Sequence, residues 1–144
     1  AMDKIKSKLL WQRLGLNTAE FLQLTPASDW QSVLDQLGTV VVKPVNGGSS
    51  LGIAIVSDAD SLQKQYEIAT EYDPNVMAER YIEGKEFSIT VLGEELLPAI
   101  QLETSRQFFD FDAKYVDKGT NIICPPDLSE NKLRELDELA LKAY

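Results

Sequence analysis

Three stretches of the sequence hold side chains suited to chemistry. In Lys43-Pro44-Val45-Asn46-Gly47-Gly48-Ser49-Ser50-Leu51-Gly52, a β-branched run delivers a lysine to a loop with three glycines and two serines in six residues. Glycines admit positive φ and let main-chain amides approach a bound group, and serines add hydroxyl donors. Such a cradle suits a polyanion, for example a triphosphate, with Lys43 as its point charge. It is not a Walker A loop, because the lysine precedes the glycines and no GxxxxGK[ST] occurs. The same composition also describes a flexible hairpin tip with a surface lysine. In Glu79-Arg80-Tyr81-Ile82-Glu83-Gly84-Lys85-Glu86-Phe87, two carboxylates, Glu79 and Glu86, flank a connector between strands. There they can accept from an amino group or from ribose hydroxyls while exposed backbone reads an adenine edge; a solvated charged turn has the same sequence character. In Phe108-Phe109-Asp110-Phe111-Asp112-Ala113-Lys114-Tyr115, aromatic residues resist exposure and imply a loop that closes over something, with a cation and a phenol beside it. An anchor packing that loop onto its own domain is the competing reading.

Much chemistry is excluded at once. There is no histidine, so neither a Ser-His-Asp nor a Cys-His nucleophile exists, nor a His-ligated zinc. Cys124 is the only cysteine, which rules out an internal disulfide and a cysteine-rich metal centre. Beside Ile122, Ile123 and Pro125 it reads as a small buried hydrophobe in a reducing compartment. A formal charge of -9 repels phosphate backbones, so no nucleic-acid partner is expected. No apolar run approaches the ~20 residues of a membrane span, and the apolar patch within the first residues is too short for a signal peptide. These features read as a cytoplasmic protein with no membrane partner.

The elements that must position these residues follow from periodicity. Met2, Ile5 and Leu9 share one helical face, with Gly15 at the C-cap. Phe21–Leu24 is β-prone and ends at Thr25-Pro26. Ser28-x-x-Gln31 is a capping-box pattern before Trp30, Val33, Leu34 and Leu37, and Gly38 is the stop. Val40–Pro44 and Gly52–Val56 read as a hairpin around the Gly/Ser loop. Ser57–Tyr72 is a helix with Leu62, Tyr66 and Ala69 inward, and Val76–Tyr81 is a strand. Glu86–Leu92 and Leu96–Glu103 form a second hairpin, with Pro98 marking an edge or bulge. Thr104–Leu128 has no sustained period and reads as a functional or mobile loop. Ser129 caps a last helix with Leu133, Leu136, Ala140 and Ala143 inward. Hairpins covered by helices make the class α+β with antiparallel sheets, divided near Gly84.

In order, these motifs resemble the D-alanine–D-alanine ligase family of ATP-grasp enzymes. The resemblance rests on Met2-Asp3-Lys4, Val42-Lys43-Pro44, Gly48-Ser49-Ser50-Leu51-Gly52, Glu79 with Glu86-Phe87, and Asp112-Ala113-Lys114-Tyr115 before Cys124-Pro125. It implies an ATP-grasp central domain over residues 1–84 and the first part of the C-terminal ATP-grasp domain over 85–144. It implies that Lys4 and Lys43 hold ATP phosphates and that Gly48 and Ser50 lie in the phosphate loop. Ser49 would orient the first D-alanine. Glu79 would be the adenine-side carboxylate, Arg80 and Ile82 backbone contacts to adenine, Glu86 the ribose carboxylate and Phe108 an adenine wall. Lys114 and Tyr115 would end the mobile loop, the lysine at the γ-phosphate and the tyrosine closing toward Ser49. The implied reaction joins two D-alanines through a D-alanyl phosphate for peptidoglycan precursors; D-lactate or D-serine ligases and a non-catalytic nucleotide-binding module are the alternatives. The family's Mg²⁺ ligands and N-terminal domain have no counterpart in this sequence. An isolated chain is therefore expected to be inactive. A homodimer of the parent, or self-association of this chain through open strand edges, is also expected.

Overall fold

The computed structural model describes residues 2–93, 95–104 and 121–144. Its contacts divide the chain into two units, Ala1–Arg13 with Asn17–Ile82, and Leu14–Leu16 with Glu83–Tyr144.

The first unit is built on a four-stranded antiparallel sheet of β1 (Phe21–Leu24), β2 (Val40–Pro44), β3 (Ala54–Val56) and β4 (Val76–Arg80), in the order β1-β4-β2-β3. Along β2, Val40, Val42 and Pro44 are buried while Val41 and Lys43 are half-buried, the alternation that a two-faced strand requires. On one face, Leu24, Val40, Val42, Val76 and Ala78 pack against Val33, Leu34 and Leu37 of α2 (Trp30–Leu37) and Leu62, Tyr66 and Ala69 of α3 (Ala59–Thr70). Trp30 and Tyr66 meet at a ring separation of 5.3 Å across these helices. Gly38 ends α2 at φ 72, as its position at the stop predicts. The N-cap differs from the expected Ser28 box. Asp29 Oδ1 accepts from Ser32 N–H, whereas Ser28 Oγ accepts from Thr25 N–H in the preceding turn. Either side chain can cap; the turn at Thr25-Pro26 draws Ser28 away and leaves the helix to Asp29.

The other sheet face carries Lys43, Glu79 and Phe21, and α1 (Lys4–Arg13) contributes side chains to it. Here the apolar stripe of the helix is not the side that is buried. Met2 and Leu9 are 68% and 49% exposed, and the buried residue of α1 is Lys8. Apolar periodicity identifies an oily stripe, but this sheet face is charged. The helix therefore turns Lys4 and Lys8 inward, where main-chain carbonyls and a carboxylate satisfy them, and leaves Lys6 exposed.

In the second unit, β5 (Glu86–Ser88), β8 (Ile100–Glu103) and β9 (Asn121–Ile123) form an antiparallel sheet in the order β5-β8-β9. The short β6 (Val91–Leu92) and β7 (Glu95–Leu96) pair with each other. The expected hairpin is thus interrupted, and the break adjoins Pro98, which cannot donate to a ladder. β9 lies within the stretch read as an aperiodic loop; three residues are too few to show a period. Ser129 caps α4 (Glu130–Ala143) as expected, its Oγ accepting from Lys132 N–H. Leu133, Leu136 and Ala140 are only half-buried, and Ala143 is exposed rather than inward. Cys124 is also exposed, contrary to the buried reading. Its neighbour Ile122 is 64% exposed, so apolar company did not mean burial here. Among the described residues no helix is long and apolar enough to cross a membrane.

Candidate functional site

Lys4, Ser7, Lys8 and Trp11 fall on one face of α1 by their i, i+3, i+4, i+7 spacing. With Lys43 and Glu79 of the sheet they line a cleft of about 310 Å³ within the first unit. Lys43 lies on β2 and Glu79 on β4; because Val41 pairs with Glu79 and Lys43 with Met77, the two charged residues are diagonal neighbours on one face. Glu79 Oε1 is ion-paired with Lys43, and its Oε2 accepts from Lys8 Nζ at 2.9 Å. Lys8 also donates to Thr18 Oγ1 at 2.6 Å and lies 5.4 Å from the centre of the Phe21 ring. Burial pushes the Glu79 carboxyl up, but the charge of Lys43 and the hydrogen bonds from both lysines outweigh it and hold the group below its ordinary range. Glu79 is therefore a carboxylate at neutral pH, clamped on both oxygens.

Lys4 occupies the first turn of α1. Its Nζ donates to Pro44 O at 2.9 Å and to Val45 O and Gly47 O at 3.2 Å each, and its main-chain N–H donates to Val45 O. Burial first, and repulsion from Lys43 second, lower its pKa. The ammonium thus sits where the Gly/Ser loop leaves β2. Asp73 grips the other side of the same loop base. Its Oδ2 accepts from Asn46 N–H and Asn46 Nδ2, both at 2.7 Å, and its Oδ1 accepts from Asn75 N–H at 3.0 Å. Val45 N–H donates to Asn75 O at 2.8 Å. Beyond this anchored base, Gly47, Ser49, Ser50 and Gly52 all adopt positive φ. For two serines that conformation is uncommon.

Of the residues singled out from sequence, Lys4, Lys43 and Glu79 come together in the cleft. Gly48, Ser49 and Ser50 lie on the loop that follows Lys43, with Gly48 and Ser49 exposed. Arg80 ends β4 but turns its guanidinium to Glu20 Oε2 and Gln36 O, both at 3.0 Å, and its main-chain N–H donates to Glu20 O. Ile82 is 64% exposed just after the strand. Glu86 opens β5 in the second unit and is exposed. Phe108, Lys114 and Tyr115 lie outside the described residues. Lys8, Ser7, Trp11 and Asp73 are additions from the structure; the signal for the first three is their i+4, i+3 and i+7 spacing from Lys4, which puts them on the same helical face. Among the described residues no three carboxylate or thiol groups gather as a metal site would require. The described residues therefore do not fit a Mg²⁺ site.

The family described as D-ala D-ala ligase C-terminus matches residues 10–144. The chain belongs to that family. Over 145 residues it is 48% identical to the D-alanine–D-alanine ligase of Saccharophagus degradans, covering 100% of this chain and 46% of the relative. The crystal structure of the Bacillus anthracis D-alanine–D-alanine ligase superposes with a TM-score of 0.82 at 35% identity, over 99% of this chain and 47% of that one. A structure of that protein complexed with ATP is also similar, at a TM-score of 0.79 and 30% identity, over 99% of this chain and 45% of that one. VanG D-Ala:D-Ser ligase from Enterococcus faecalis gives 0.81 at 28%, over 99% and 44%. The mixed helices and antiparallel sheets are those of the ATP-grasp fold. The chain spans about half the length of the curated relatives it matches.

Proposed function

We propose that this chain is the nucleotide-facing part of a longer, ATP-dependent ligase that joins two D-alanines through a D-alanyl phosphate, supplying peptidoglycan precursors in the cytoplasm. The observation that carries this reading is the charge in the cleft. Three lysines, Lys4, Lys8 and Lys43, line one cleft with a single carboxylate, Glu79, and the loop that follows Lys43 carries successive positive-φ residues, in a chain of formal charge -9. Local positive charge against so negative a background focuses on an anionic ligand.

In this reading Lys4 and Lys43 bind the polyphosphate, and the amides of Gly48 and Ser50 with the Ser50 hydroxyl orient it. Ser49 orients the first D-alanine. Glu79, Arg80, Ile82, Glu86 and Phe108 serve the nucleoside end, and Lys114 and Tyr115 close the site. Phosphoryl transfer develops charge on oxygens, so fixed cations and amides supply most of the stabilisation without any acid–base histidine. Mg²⁺ would be held by residues outside this chain. The likeness to a D-Ala:D-Ser ligase keeps D-serine as a competing second substrate.

The test is product analysis with the full-length protein, ATP and D-alanine. Stoichiometric ADP, phosphate and D-alanyl-D-alanine support the reading; preference for D-serine or D-lactate moves the assignment within the family. Nucleotide binding with no acyl product under any of the three overturns it.

A further inference from the structure

Lys8 is the least expected member of the cleft. Its side chain is 7% exposed, and its Nζ lies 2.9 Å from Glu79 Oε2. A buried lysine is costly unless its donors are satisfied. Here Glu79 Oε2 and Thr18 Oγ1 satisfy it, and the Phe21 ring adds a favourable face. The arrangement has a consequence for Lys43. Glu79 carries one negative charge, and Lys8 and Lys43 divide it between the two carboxylate oxygens. Were Lys8 absent, that whole charge would fall to Lys43 and hold its ammonium back from an incoming phosphate.

We propose that Lys8 is a positioning residue: it clamps Glu79 Oε2 so that Lys43 keeps enough free charge, in a fixed place, to bind the nucleotide polyphosphate. This rests on the ATP-binding reading above. Three features support positioning rather than direct contact. Lys8 lies deeper than Lys43, whose side chain is 17% exposed. Two side-chain oxygens and an aromatic face already surround its ammonium. It also comes from the second turn of α1, whereas Lys4, one turn earlier, holds the loop base itself.

The experiment is a double-mutant cycle on the full-length protein, reading ATP affinity by calorimetry across pH. Lys8→Met should weaken ATP binding about 5- to 20-fold in the native background. In a Glu79→Gln background, where no charge remains to be shared, the same change should cost less than about twofold. Because Glu79 keeps its burial but loses one cation, the acid-side transition in ATP affinity should move to higher pH in Lys8→Met. Equal losses in both backgrounds, with an unmoved transition, would make Lys8 a direct ligand or a purely structural residue and would overturn the proposal. If native protein does not bind ATP, the functional reading fails instead, so the two failures are distinguishable. Should Lys8→Met not fold by circular dichroism, competitive acetylation of native protein decides. Lys8 should label equally slowly with and without ATP while Lys43 slows when ATP is added; Lys8 slowing as much as Lys43 overturns the proposal.

Discussion

Asp73→Asn tests whether the base of the Gly/Ser loop is held by charge. In the native chain the two oxygens of Asp73 each receive a main-chain N–H, Asn46 at 2.7 Å on Oδ2 and Asn75 at 3.0 Å on Oδ1, and the residue is buried. Asparagine keeps the shape but has one oxygen, so one of those amides must face an NH₂ group. A buried donor left without an acceptor costs about 1–3 kcal/mol. The surviving bonds also lose the strengthening that a charged acceptor provides. Together the substitution should destabilise the chain by about 2–4 kcal/mol at pH 7, read from the urea midpoint at unchanged m-value. The pH dependence follows from the same contacts. Hydrogen bonds from Asn75 and Asn46 hold the Asp73 carboxyl below its ordinary value of 3.8, burial opposing them. Its contribution is therefore fully present above the unfolded-state value and is lost as pH falls through the lower folded-state value. The native and variant curves should run parallel from pH 7 to pH 5 and converge below about pH 4. A gap under ~0.5 kcal/mol at pH 7 would refute the reasoning, as would a gap that persists unchanged in acid.

Lys43→Ala should reduce ATP-dependent turnover of the full-length protein by about 2–4 kcal/mol in kcat/KM, the scale of one preorganised donor. It should destabilise folding by only about 1–2 kcal/mol, since Lys8 still neutralises Glu79; parallel kinetics and urea melts separate the two. Gly52→Ala should cost about 1–2 kcal/mol in a urea melt, because φ is +69 there and a Cβ would lie 2.7 Å from Tyr72 Cδ2 and 3.2 Å from Pro44 Cγ. Exposed Tyr72 can swing aside and limit the loss. In amide exchange, Val45 and Asn46 should be slow because each donates to an anchored acceptor, while Gly47 and Gly48 exchange quickly. Protection of both glycines equal to that of Val40–Val42 would contradict the anchored-base, open-tip picture.

Much of the first unit was legible because its signals are local. The β-branched run at Val40–Val42, the inward trio Leu62, Tyr66 and Ala69, and Gly38 as a stop each follow from a few neighbouring residues, and all recur in the structure. The orientation of α1 was not legible in the same way. Its oily stripe is real, but what decides burial is a charged sheet face assembled from β2 and β4 far along the chain. Lys8 was missed for that reason: a lysine between apolar residues reads as solvated until Glu79 is known to lie opposite. Lys43 and Glu79 stand out in their own stretches, Lys4 only through the family resemblance, and that the three line one cleft needed the fold. In sequence Asp73-Pro74 signals only the end of a helix, and its role as an acceptor for Asn46 depends on the pairing of β2 with β4, which brings the two loop bases together. The strand Asn121–Ile123 is too short to carry a period and becomes recognisable only beside β8.

Oxygen tracing gives the most direct test of the central claim. The full-length protein is supplied with ATP and D-alanine labelled with ¹⁸O in its carboxylate, and the released inorganic phosphate is analysed by mass. Attack of a labelled carboxylate oxygen on the γ-phosphoryl group leaves that oxygen on phosphorus when the second amine displaces phosphate, so one ¹⁸O should appear in each phosphate released with dipeptide. Dipeptide formation with unlabelled phosphate would contradict an acyl phosphate, and with it the account of a lysine-lined cleft that delivers the γ-phosphoryl group to D-alanine.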